Sequence, residues 1–250
     1  MARQTGILGI QGTVGGLVFN RNGRISQKPQ GNKTAFAAAP SRARTRENAS
    51  EFGTAASAGK LIRTALRTLI STASDARMVS RLTQKTRAIV RMDETNDRGA
   101  RMMDKDNALE LVGFDFNASA SLGQVFFGAY TAAAAAAGAD LTIGLPSLNG
   151  LTDVVAPQVA THFELLLGSA AITFETGTIA QGVVAVPLGS LPLNGPVLVN
   201  QSIKASLPAA PTADDVVIGV LGVNFYQLLN GKQYPLHNNA SNPLAIVYAN

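Results

Sequence analysis

The side chains best suited to bond-making chemistry are few in this 250-residue chain. Its two histidines are His162 and His237. Each lies in strand-like surroundings, His162 alternating with Phe163 and Leu165, and each reads as a hydrogen-bonded structural imidazole. The adjacent carboxylates Asp214-Asp215 read as a turn entering a strand. Asp93, Asp97 and Gly99 lie in a polar run but miss the acidic spacing and glycine position of a calcium-binding loop. No HExxH, DxDxDG or GxSxG pattern occurs, and the absence of cysteine removes thiolate nucleophiles and thiolate metal sites. These residues predict no catalytic group, no metal site and no cofactor, so the chain is expected not to be an enzyme.

Arginine supplies the remaining chemistry, which is contact with phosphates or carboxylates. Arg42, Arg44 and Arg46 alternate in a proline-containing run, and Arg63, Arg67, Arg77 and Arg81 fall on the polar sides of two helical patterns. Exposed arginines on a connector suit backbone phosphates. Stacking aromatics are scarce, however, since Phe52 is the only one between Phe36 and Phe114. These seven arginines are therefore basic contact candidates, for nucleic acid or for an acidic surface on another copy.

The stretch that must position everything else is the opening MARQTGILGIQGTVGGLVFNRNGRISQK. Gly6, Gly9, Gly12 and Gly15 recur every third residue, and Gly16 follows at once. Apolar residues up to Phe19 lie between and after them, and Asn22-Gly23 is a two-residue hairpin signal. The expected element is a glycine-bent strand to about Asn20, a type I′ turn, and a return strand over Arg24 to Lys28. Glycine inside a strand marks a bulge or a close backbone approach. An isolated hairpin is marginal in water, so this arm must dock on its own chain or on a neighbour. Gly6, Gly9, Gly12, Gly15, Gly16, Phe19, Asn22 and Gly23 are the assembly-arm candidates.

Residues 29 to 46 read as a basic linker without regular structure. From about Thr45 to Ser71, Phe52, Ala55, Ala56, Gly59, Ile62, Ala65, Leu66, Leu69 and Ile70 recur at helical spacing. Ser74 or Asp75 then offers an N-cap for a second helix striped by Met78, Val79, Leu82, Thr86, Ile89 and Val90. This antiparallel pair occupies 47 to 92, and a solvent-exposed polar connector runs over 93 to 107. From 108 to 250, short apolar runs punctuated by Gly, Pro, Asn and Asp predict a β-sandwich-like domain. Asn230-Gly231 marks a second hairpin there. The alanine run after Thr131 leaves a short helix and a flexible crossover open. The fold class expected is α+β: a glycine-rich hairpin arm and basic helix pair, followed by an all-β sandwich-like domain.

Where GTVGGLVFNRNGR meets TRENASEFGTAASAGKLIRTALR and VSRLTQ, the chain resembles a group of uncharacterised bacterial proteins. Those open with MARQTGI…GTIGG…F and continue with TREN…EFG…AGKL(I/L)RTA. The likeness covers roughly residues 1 to 92, and the ending VNFYQLLNGKQYPLHNNASNPLAIV is also similar. It implies the hairpin-plus-helix architecture and no particular activity.

Charge and composition point to partners. Charged residues make up 15% of the chain, against the roughly 25% usual in globular proteins, which favours surface covered by something other than water. Residues 1 to 105 hold 19 of the 21 Lys+Arg and 7 of the 16 Asp+Glu, a net +12, leaving −7 for the remainder. Such a split suits head-to-tail pairing of copies or a nucleic-acid footprint. No apolar window is long enough for a membrane span, and no signal-peptide pattern is recognisable, which leaves the compartment open between virion and extracellular assembly. The leading expectation is a structural subunit that self-assembles through its arm. The alternatives are a nucleic-acid-associated protein and a surface adhesin, the latter weakened by the absence of tryptophan.

Overall fold

A computed structural model describes residues 3–4, 10–28, 33–135, 139–184, 188–236 and 240–250, and Gly6, Gly9 and His237 lie outside them. The chain divides into two compact units, 1–46 and 47–250. The first holds a small antiparallel meander of β1 (Arg3–Gln4), β2 (Ile10–Val14), β3 (Leu17–Phe19) and β4 (Ile25–Gln27), paired in that order. Residues 29 to 46, expected without regular structure, contain α1 (Lys33–Ala38) and a 3-10 turn at Pro40–Arg42. The α1 end is held locally: the Arg46 guanidinium donates to the Phe36 and Ala39 carbonyls, both at 2.9 Å.

The second unit starts within α2 (Ala43–Ala65), which leads into α3 (Arg67–Ile70) and, after a short connector, α4 (Met78–Val90). Ala55, Ala58, Ile62 and Ala65 of α2 are buried, as are Met78, Leu82, Thr86, Ile89 and Val90 of α4. Thr86 joins the two helices, its hydroxyl donating to the Ala55 carbonyl at 2.9 Å and the Leu82 carbonyl at 3.1 Å. Phe52 and Val79, placed on the buried stripes by spacing alone, are exposed. The Arg87 guanidinium lies over the Phe52 ring instead.

After α5 (Leu122–Val125) the chain is β-rich: β5 (Thr131–Ala134), β6 (Asp140–Leu148), β7 (His162–Thr173), β8 (Thr178–Val184), β9 (Leu191–Pro192), β10 (Leu198–Ser206), β11 (Val216–Leu229), β12 (Lys232–Pro235) and β13 (Leu244–Ala249). A six-stranded antiparallel sheet is centred on β11 and β7, with β12 and β13 along the far side of β11 and β8 and β9 beside β7. A second sheet has the order β10-β6-β5. The class is α+β, with a β-rich C-terminal part.

The helical pair does not form a domain of its own. Ile62, Leu66, Leu69 and Leu82 share one core with Leu166, Ala170, Val220 and Ile246 of the large sheet. The opposite face of that sheet, through Phe163, Leu165, Leu221 and Phe225, packs on Leu141, Ile143, Leu145 and Ile203 of the smaller one. Strands β7 and β11 are therefore covered on both faces, which explains their continuous apolar runs FELLLGSAAI and VVIGVLGV. Two glycines admit the layers. A Cβ on Gly168 would stand 2.5 Å from Leu69 Cδ1, and one on Gly219 would overlap Leu141 Cδ2.

The first part of the alanine run lies in edge strand β5, with Ala132 opposite Ile143 and Ala134 opposite Leu141, and residues 136 and 137 of the run lie outside the described residues. The β5 side chains alternate half-buried and exposed, so pairing with β6 overrides alanine's helix preference. Asn230 (φ 51°) and Gly231 (φ 77°) form the expected two-residue turn between Leu229 and Lys232. Phe114 and Phe116 run beside β13, with Ile246 N–H donating to the Phe114 carbonyl at 3.0 Å.

The 93–107 connector is packed, not merely solvated. Met103 is buried, and Asp93 is only 1% exposed. The Asp93 carboxylate accepts from the backbone N–H groups of Thr95 (2.9 Å), Asn96 (3.0 Å) and Met102 (3.0 Å), and from the Asn96 amide (2.8 Å). Burial alone would raise its pKa, but these donors together hold it down to about 2. A carboxyl depressed in this way stabilises the fold fully above the unfolded value near 4, and the contribution disappears as pH falls towards 2. Asp93→Asn should lower unfolding free energy by about 2 kcal/mol at pH 7 and flatten the pH dependence between about 5 and 2. Urea denaturation across that range checks both.

Candidate assembly interface

Over residues 10–28 the opening stretch is two hairpins, not one bent strand. β2 and β3 are joined by Gly15-Gly16, with Val14 opposite Leu17. Gly15 has φ 59° and Gly16 has no positive φ, the pattern of a type II′ turn with glycine first. Nothing lies within 4 Å of a Cβ built on either residue, so Gly15 is required for its backbone conformation and not for a close neighbour. The second hairpin also differs from expectation. Gly23 N–H donates to the Asn20 carbonyl at 3.1 Å and Asn20 N–H to the Arg24 carbonyl at 2.8 Å. Gly23 has φ 72° while Asn22 does not have positive φ. This is a three-residue loop closed by a left-handed glycine, in place of the two-residue type I′ turn.

The register sorts the side chains. Gly12 faces Phe19, Val14 faces Leu17, and Phe19 faces Ile25. Directly opposed residues share a face, so Ile10, Val14, Leu17, Phe19 and Ile25 form one largely apolar side, bordered by Gln4 opposite Ile10 and Gln27 opposite Leu17. Gln11, Thr13, Val18 and Ser26 occupy the other. The apolar side is open: Ile10 is 51% exposed, Val14 56%, Leu17 43% and Ile25 60%. Gly12, opposite the Phe19 ring, has φ 119°, a conformation that L side chains rarely adopt. Gly15→Ala should therefore loosen the β2–β3 hairpin by about 1 kcal/mol, while Gly16→Ala changes it little. Amide exchange at Val14 and Leu17, the pair that closes the turn, would separate the two variants.

The basic candidates part company. Arg42 is exposed on its 3-10 turn, Arg44 lies at the start of α2, and Arg46 caps α1. Arg63 is half-buried, whereas Arg67 and Arg77 are exposed. Arg81 is a structural clamp. It pairs with Asp75, donates to the Asp115 carbonyl at 2.7 Å and the Phe116 carbonyl at 3.2 Å, and lies 5.2 Å from the Phe114 ring centre. Asp75 also accepts from Ala118 N–H at 2.9 Å and Arg77 N–H at 2.7 Å. Burial would raise the Asp75 pKa, but these bonds and Arg81 hold it below the usual carboxylate range. Asp75 thus binds its own chain and does not cap α4 as a simple N-cap.

Nothing matches the chain among family models, curated proteins or solved structures.

The polar side chains elsewhere tie strands together. The Tyr226 hydroxyl on β11 donates to Glu164 on β7 at 2.5 Å, and burial together with that bond pushes its pKa up to about 12. Tyr226 therefore keeps its proton at any physiological pH. His162 pairs through Nδ1 with the Thr161 hydroxyl at 2.9 Å, and Thr161 Oγ1 accepts from Leu228 N–H at 2.8 Å. Among the described residues, no group of three His, Asp or Glu is placed to hold a metal ion, and no helix is long and apolar enough to cross a membrane.

The exposed set Ile10, Val14, Leu17 and Ile25 escapes a reading based on glycine spacing. The available signal is Gly15-Gly16 between the alternating runs IQGTV and LVF, itself a two-residue hairpin pattern.

Proposed function

We propose that this chain is a non-enzymatic structural subunit that self-assembles, its N-terminal meander docking on a neighbouring copy in a filament, sheath or virion-type shell. The observation that carries this reading is the open apolar face of β2, β3 and β4, with Ile10, Val14, Leu17 and Ile25 each more than two-fifths exposed. Contiguous apolar surface of this kind marks an interaction site on a soluble protein. Charge supports the same partner. The first 46 residues contain eight Lys+Arg and no Asp or Glu, whereas the rest of the chain is net −3. Contact between unlike surfaces of successive copies generates an open filament unless the rotation closes it into a ring.

Light scattering and negative-stain microscopy of the purified chain over a range of concentrations test the proposal. Regular polymers or shells are expected, and they should loosen as salt screens the opposed charges. A strictly monomeric protein at every concentration would contradict it. The acid-free first 46 residues also favour a second reading, an assembly that holds nucleic acid against its basic surface. In that case bound nucleic acid co-purifies and is released steeply with salt.

A further inference from the structure

We infer that the groove between α2 and the β7–β8 hairpin receives the basic segment around Phe36 of a second copy of this chain, an inference that rests on the assembly reading above. Two adjoining cavities of about 260 and 310 Å³ share Met102, Met103, Phe174 and Glu175 as lining. The floor is apolar and soft, because methionine thioethers adapt to irregular partners. Around it stand the exposed carboxylates Asp106, Glu175 and Asp214. Two cations also line the groove, half-buried Arg101 and exposed Lys105, against the four carboxylates Asp104, Asp106, Glu175 and Asp214.

An acidic rim over an apolar floor calls for a basic segment with an apolar anchor. Residues 28–46 have that composition. They hold five basic residues, no acidic one, and a single aromatic, Phe36. Phe36 is 41% exposed on α1, and Arg42 is exposed beyond it. The two surfaces are thus complementary in charge and in apolar character. In the assembly, the meander's apolar face and this anchored segment are two parts of one docking arm.

The test uses the full-length chain with Phe36 replaced by the photoreactive p-benzoylphenylalanine, whose excited ketone abstracts hydrogen readily from methionine. Isotope-labelled and unlabelled chains are mixed, irradiated and digested. The expected product is a mixed-isotope adduct joining position 36 to Met102 or Met103. Glu175→Lys with Asp214→Lys should reduce that adduct at least about tenfold at low salt, because like charges then face each other. Circular dichroism of the variant checks that the body stays folded. Adducts confined to a single isotope overturn the second-copy occupant. Mixed adducts mapping to another surface overturn the groove while leaving self-assembly standing. No mixed adduct from a monomeric protein overturns both readings, and an undiminished yield in the charge-reversed variant overturns the complementarity.

Discussion

A chain carrying Gly168→Val should melt roughly 6–12 °C below the parent. Gly168 lies on β7 at the point where Leu69 of α3 meets the large sheet, and Leu69 is 2% exposed with no open side to move into. A Cβ there would stand 2.5 Å from Leu69 Cδ1 and 3.4 Å from Val220 Cγ2. Overpacking of a filled core generally costs about 1–3 kcal/mol, and valine at a contact this short belongs at the upper end. Gly219→Val should cost a similar amount on the other face, where Leu141 of the smaller sheet approaches. The double variant then loses about 6 kcal/mol, a large share of the roughly 5–15 kcal/mol that a folded domain possesses. Ser169, between the layers beside Gly168, is the control. It is buried and its hydroxyl has no partner, so Ser169→Ala should leave the melting temperature level or slightly raised. Equal losses for all three variants would refute the layer argument.

The second large effect concerns the open face of the meander. Leu17→Asp combined with Ile25→Asp should leave the body's melting temperature unchanged and weaken assembly about a thousandfold. Each substitution removes about 1 kcal/mol of apolar burial at a half-exposed position, and each places a carboxylate in a contact that excludes water. Together these come to roughly 4 kcal/mol, and every 1.4 kcal/mol is tenfold in affinity. Gln11→Asp with Ser26→Asp, on the opposite face, should have far less effect. Sedimentation velocity compares the pairs, and equal loss in both would show that the apolar face is not the contact.

Much of this architecture is legible in the sequence. The stripe Met78, Leu82, Thr86, Ile89 and Val90 is buried as its spacing predicts, and Asn230-Gly231 forms its turn because both residues tolerate positive φ. The helices' destination is harder to read. Periodicity identifies an apolar stripe but not its partner, so the helices' packing on β7 and β11 appears only in the continuous burial of those strands. Local preference misleads where tertiary pairing decides, as at Thr131–Ala134. Arg81 looks like any cation on a helix's polar face until nearby Asp75 and, from far along the chain, Phe114 and the Asp115 carbonyl converge on it. In the arm, Asn22-Gly23 has the sequence of a two-residue turn but closes a three-residue loop, and only the register set by that loop and by Gly15-Gly16 places Ile10, Val14, Leu17, Phe19 and Ile25 together.

In the proposed assembly the N-terminal meander couples one copy to the next. Sedimentation velocity of the full chain beside a chain lacking residues 1 to 28 tests it most directly, with circular dichroism as the check on folding. The expected result is a shortened protein with the parent's folded body that sediments only as a monomer while the full chain assembles. A shortened protein that still forms the parent's assemblies would contradict it.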